Sequence, residues 1–173
     1  NGNVAVLTAT GLTMNVQYFV RVYDFAARVP TAAQGGFSIA VNAPPSNDDC
    51  ANASAITPAT ACTPTNGTTL GATQSLAAII CNSNTGTADD DVWYKFVAGA
   101  TSQTIRVVGG TNFDAVVDLR SGACNGSNIA CADATGTAGT ETISATGLTM
   151  GATYYVRVYE YYGNMESPPN TPG

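Results

Sequence analysis

Histidine is absent from all 173 residues, and lysine occurs once, at Lys95. Without imidazole the commonest general base, the commonest metal ligand and the Ser-His and Cys-His nucleophile pairs are all missing. Charge of either sign is sparse. Lys and Arg number 6 and Asp and Glu 12, so that 10% of the chain is charged, where an ordinary soluble domain has about 25%. A net charge of -6 argues against a nucleic-acid partner, because that binding needs basic residues to neutralise phosphates. No apolar run approaches the roughly 18 residues of a membrane-crossing helix, so membrane insertion is not expected. GxSxG, phosphate-loop and zinc-protease motifs are missing too. The chain is therefore expected not to be an enzyme. It also begins with neither Met nor a signal peptide, which reads as a mature product or a fragment.

Five cysteines are present, Cys50, Cys62, Cys81, Cys124 and Cys131. Without His or a paired CxxC arrangement they point to disulfides and an oxidising, secreted or cell-surface location, not to zinc. Cys124 and Cys131 flank the turn-rich 125–130, and the expectation is that they bond to each other. One further pair would then form among Cys50, Cys62 and Cys81, leaving one thiol over.

The most informative feature is an internal repeat. The sequence ATGLTM at 9–14 recurs at 145–150, an offset of 136 residues, and QYFVRVYD at 17–24 matches TYYVRVYE at 153–160 without a gap. Residues 42–49, NAPPSNDD, have the composition of a linker. Residues 1–42 accordingly read as the closing strands of a preceding repeat, able to act as donor strands to a neighbouring subunit. Residues 43–173 read as a sandwich repeat that lacks its last strand.

Short runs rich in Val, Ile, Thr, Tyr and Phe, bounded by Gly, Asn, Pro and Ser, dominate the chain. They predict strands at 4–10, 16–25, 37–41, 68–73, 92–98, 104–108, 113–119, 128–132, 141–146 and 153–161. One helical turn is predicted at 49–56, capped by Asn47 or Asp48. The pattern is that of an all-β protein, an antiparallel β-sandwich of jelly-roll or Greek-key type.

Alternation in the last strand puts Tyr154, Val156 and Val158 on one face and Tyr155, Arg157, Tyr159 and Tyr161 on the other. That aromatic stripe reads either as ordinary cross-strand packing or as a surface met by a neighbouring subunit or ligand. The candidate interface residues are Tyr155, Tyr159 and Tyr161, together with Phe37, Ile39 and Val41 of the 37–41 strand. Three adjacent carboxylates, Asp89, Asp90 and Asp91, repel one another unless a hard cation relieves them. They form a candidate calcium site, with Asp114 as a further ligand.

The series DDDVWYKF at 89–96, NFDAVVDL at 112–119, ETI at 141–143 and GATYYVRV at 151–158 resembles the bacterial pre-peptidase C-terminal-like domain. It is similar in particular to tandem copies in secreted or surface proteins of Bacteroidetes-type bacteria. The resemblance implies a jelly-roll-like sandwich, export, and an ancillary or adhesive role, with calcium or an extracellular polymer bound by some relatives.

Two functions from different classes follow. One is a structural subunit of an extracellular filament, a homopolymer whose partner is another copy of the chain, joined head to tail by strand complementation. The alternative is a secreted adhesion module or accessory domain that binds an extracellular polysaccharide or protein ligand.

Overall fold

The computed structural model describes residues 7, 9, 11–13, 15–23 and 36–163. Asn42–Ser167 form one compact unit, and Asn1–Val41 belong to a second.

Seven strands build the larger unit: β1 (Ser54–Ala55), β2 (Val92–Val97), β3 (Ser102–Val108), β4 (Ala115–Ser121), β5 (Asn128–Ala132), β6 (Thr140–Thr146) and β7 (Thr153–Glu160). They form a β-sandwich. One sheet has five strands in the order β1-β2-β7-β4-β5, and the other pairs β3 with β6. All pairings are antiparallel except the short β1 beside β2.

Sequence pattern explains which strand sits where. In β6, Glu141, Ile143 and Ala145 are buried while Thr142, Ser144 and Thr146 are exposed, the alternation of a sheet wet on one side. In β4, Ala115, Val116, Val117, Asp118 and Leu119 are all buried, which requires cover on both faces. One face meets β3 and β6 across a core that includes Val92, Phe96, Leu119, Ile143, Tyr154 and Val156. The opposite face buries Trp93 with Cys50 and Ala53, and Tyr159 with Ala88 and Val116.

The connection into β7 is set by backbone chemistry. Gly147 and Gly151 take φ of 71° and 80°, a left-handed conformation that costs glycine nothing. The Thr149 N–H donates to the Tyr154 hydroxyl at 2.9 Å, so the tyrosine closes the turn that precedes its own strand.

Several sequence expectations are corrected. Residues 68–73 are not a strand: Thr73 donates its N–H (2.6 Å) and hydroxyl (2.9 Å) to the Asp48 carboxylate, which holds the segment as a loop. The helical turn shrinks to a 3-10 turn, Cys50–Asn52, followed by β1. Neither proposed cap acts on it, since Asp48 is committed to Thr73 and the Asn47 side chain donates to the Trp93 carbonyl at 2.9 Å. The described residues 15–23 and 36–41 carry no strand, and most of 4–10 lies outside the described residues.

The cysteines also pair differently. Cys50 bonds to Cys124 and Cys81 to Cys131, while Cys62 is free and exposed. Cys124 and Cys131 do not meet because Cys124 is held inside a loop that backbone hydrogen bonds close at 121–127, while Cys131 lies beyond it on β5. Gly126 N–H donates to Ala123 O at 2.9 Å and Ser121 N–H to Ser127 O at 3.2 Å. Cys131 instead lies opposite Asp118 on β5, where the segment carrying Cys81 crosses the sheet.

Candidate functional site

The aromatic stripe is the first candidate, and the structure covers most of it. Arg157 and Tyr159 have no exposed surface at all, and Tyr155 and Tyr161 are half-buried. The cover is the chain's own segment, residues 74–88. The Arg157 guanidinium donates to Asp91 Oδ2 from Nε at 2.8 Å, to Ala77 O from Nη1 at 3.0 Å, and to Leu76 O from Nη2. It also stacks over Tyr159, 4.9 Å from the ring centroid. Ile79 N–H reaches the Tyr159 hydroxyl at 3.4 Å. The Trp93 indole N–H donates to Ser75 Oγ at 2.8 Å, and Ser75 Oγ–H to Asp91 Oδ1 at 2.6 Å. Tyr159 is thus a packing residue and not an interface residue, because a charged network pins the covering segment onto it. Phe37, Ile39 and Val41 are exposed in the smaller unit.

The acidic residues do not converge as the sequence suggested. Asp91 is spent on Arg157, Ser75 and Leu76, while Asp90 accepts the Glu160 N–H at 3.0 Å. Among the described residues no group of three or more Asp, Glu, Cys or His side chains is arranged to hold a metal. Asp114 instead neighbours Asp133 and Glu141, two residues that sequence reasoning passed over because they lie on separate loops and strands. Glu141 accepts from Ala134 N–H (2.9 Å), Thr135 N–H (2.6 Å) and Thr135 Oγ1–H (2.5 Å). Asp114 Oδ1 and Asp133 Oδ2 are buried without a hydrogen-bond partner. Burial, and after it the negative charge of Glu141 for Asp114 and of Asp114 for Asp133, raises both carboxyl pKa values. Asp90 is pushed up to about 6, first by burial and further by Asp89 and Glu160.

Two surface grooves flank the edge of the five-stranded sheet where β1 meets β2. Neighbouring residues on a strand face opposite sides, so Tyr94 lines one groove and Lys95 the other. The first, about 450 Å³, is lined by Tyr94 with Asn47, Ser54, Thr65, Asn66 and Thr68. Among the described residues no charged side chain lines it. Gly67 lets the loop approach the tyrosine, since a Cβ there would lie 2.0 Å from the Tyr94 hydroxyl. The second, about 440 Å³, is lined by Lys95, Tyr155, Thr57, Thr153, Pro58 and apolar neighbours such as Val97. Tyr94 stands in the DDDVWYKF series and Thr68 in the segment 68–73, and nothing in the sequence links the two before folding.

An aromatic ring beside amide and hydroxyl side chains is the composition of a site for a small polar ligand with an apolar face. Residues 46–168 match the family described as galactose binding domain-like, T9SS-associated. The chain belongs to that family. Its members are β-sandwiches, as the fold here is, and all the residues lining the two grooves except Pro45 lie within the matched residues. The family is a binding one, of the Bacteroidetes type that the resemblance implied, but the match does not extend to the pre-peptidase C-terminal-like domain. No curated protein matches the chain, and no solved structure does.

Proposed function

We propose that this galactose-binding-like domain is a saccharide-binding accessory module of a secreted or surface protein, and that the groove at Tyr94 takes a neutral sugar. The observation that carries the reading is the meeting of Tyr94 with Asn47, Asn66, Thr65, Thr68 and Ser54 in one uncharged groove. A pyranose has an apolar face for the tyrosine ring and a rim of hydroxyls for the amides and threonines. Membership of a binding family favours this over a filament subunit. Two disulfides support an oxidising, extracellular location. Among the described residues no helix is long and apolar enough to cross a membrane.

The test is calorimetric titration with galactose-containing and other neutral oligosaccharides against the chain and two variants. Asn66→Ala combined with Thr65→Ala should weaken binding tenfold or more without moving the melting temperature, because both side chains are exposed. Lys95→Ala, in the other groove, should leave binding unchanged. Loss of binding with Lys95→Ala alone would assign the ligand to the second groove, and no binding of any neutral sugar would overturn the reading.

A further inference from the structure

The N-terminal segment repeats not only the sequence of the β6–β7 connection but its conformation. Gly11 has φ 69° where Gly147 has 71°, and Asn15 has φ 62° where Gly151 has 80°. A left-handed asparagine is uncommon, so its appearance at the matching position marks a specific turn. Thr13 N–H donates to the Tyr18 hydroxyl at 2.8 Å, as Thr149 N–H does to Tyr154 at 2.9 Å. Arg21 stacks over Tyr23 at 5.4 Å, as Arg157 does over Tyr159 at 4.9 Å. Four features at one offset of 136 residues make the described residues of 11–23 a second copy of the turn before β7 and of the sequence that forms it, here without strand pairing.

What differs is the surroundings. In the sandwich β7 lies between β2 and β4, and Tyr154, Val156, Val158 and Tyr159 are all at most 7% exposed. Their counterparts Tyr18, Val20, Val22 and Tyr23 are 50%, 59%, 51% and 74% exposed. The residues conserved between the copies include those with specific partners, not only those suited to any strand. Arg157 needs the Asp91 carboxylate and the Leu76 and Ala77 carbonyls, and Tyr159 is met by Ile79 N–H.

We infer that residues 11–23 are the β7 strand and preceding turn of a second sandwich, whose β1–β5 are supplied by another copy of this domain ahead of it in the polypeptide. Arg21 then pairs with that copy's counterpart of Asp91, which lies 66 residues before the arginine as Asp91 does before Arg157. The exposed residues Tyr18, Val20 and Val22 on one face and Tyr23 on the other are a docking surface for that one occupant, and the protein is an array of sandwiches with a period of 136 residues. This inference does not rest on the saccharide reading.

The experiment fuses a copy of residues 43–136 directly ahead of residue 1 of the full chain, which restores the period. The added copy is expected to fold against residues 11–23. Its tryptophan, the counterpart of Trp93, should be shielded from acrylamide, and it should resist thermolysin together with Asn42–Ser167. Arg21→Glu in the fusion should expose that tryptophan and release the added copy to the protease, leaving the original sandwich intact. An added copy that stays protease-sensitive and quenchable in the unmutated fusion would overturn the inference. So would one that stays folded with Arg21→Glu, because it would then fold without this segment.

Discussion

Arg157 on β7 and Asp91, 66 residues earlier, form an ion pair in which neither side chain has any exposed surface, with Nε 2.8 Å from Oδ2. The pair ties the covering segment to the sheet, since Asp91 also accepts from Ser75 and Leu76 while Arg157 donates to Leu76 and Ala77. Removing one partner leaves a buried charge without its closest counter-ion, Arg157 keeping only Asp118 at 3.9 Å. Arg157→Met and Asp91→Leu should each cost about 3–5 kcal/mol, and the double variant much less than their sum. Urea unfolding of the three variants measures this, and strict additivity would argue against the coupling.

The Cys81–Cys131 disulfide links the same segment to β5, and Cys50–Cys124 links the 3-10 turn to the loop between β4 and β5, through sequence separations of 50 and 74 residues. Closing loops of that length constrains the unfolded chain by about 4 kcal/mol each. Cys124→Ser should therefore release a reactive thiol at Cys50 and leave Cys131 bonded, as thiol labelling and peptide mapping would show. Labelling of Cys131 in that variant would restore the Cys124–Cys131 pairing.

Asp90 has a pKa raised to about 6 from an ordinary value near 3.8. A carboxyl whose pKa is raised by folding binds its proton more tightly in the folded state, so its destabilising effect is absent below about pH 4 and complete above about pH 6. Asp114, Asp133 and Glu160 are shifted the same way by burial and neighbouring carboxylates. Asp90→Asn keeps an acceptor for the Glu160 N–H. It should be more stable than the unmutated chain at pH 7.5, by roughly 2–3 kcal/mol, with the advantage gone at pH 4. Denaturation midpoints at the two pH values decide it.

A methyl group at position 67 would collide with the Tyr94 hydroxyl. Gly67→Ala is expected to push the 65–68 loop outward and widen the groove, weakening sugar binding severalfold with little loss of stability, since the loop is exposed. Tyr94→Phe in the Gly67→Ala background removes the closest clash and should recover part of the loss, read by titration calorimetry.

The β-sandwich class, the six strands β2 to β7 and the repeat are legible in the residue pattern alone. Alternation such as that of Glu141, Ile143 and Ala145 against Thr142, Ser144 and Thr146 is a property of neighbouring residues and survives without any knowledge of what packs where. The short β1, the loop 68–73 and the 3-10 turn are not legible there because their form depends on remote partners: Lys95 O for Ile56 N–H, Asp48 for Thr73 and the Trp93 carbonyl for Asn47. That Cys50 meets Cys124 and Cys81 meets Cys131, that Tyr159 is covered by residues 74–88, and that Tyr94 faces Asn66 across a groove emerge from the folded chain. Each of these joins residues separated by dozens of positions. Which of them meet is set by how a loop crosses a sheet, and no local periodicity records that crossing.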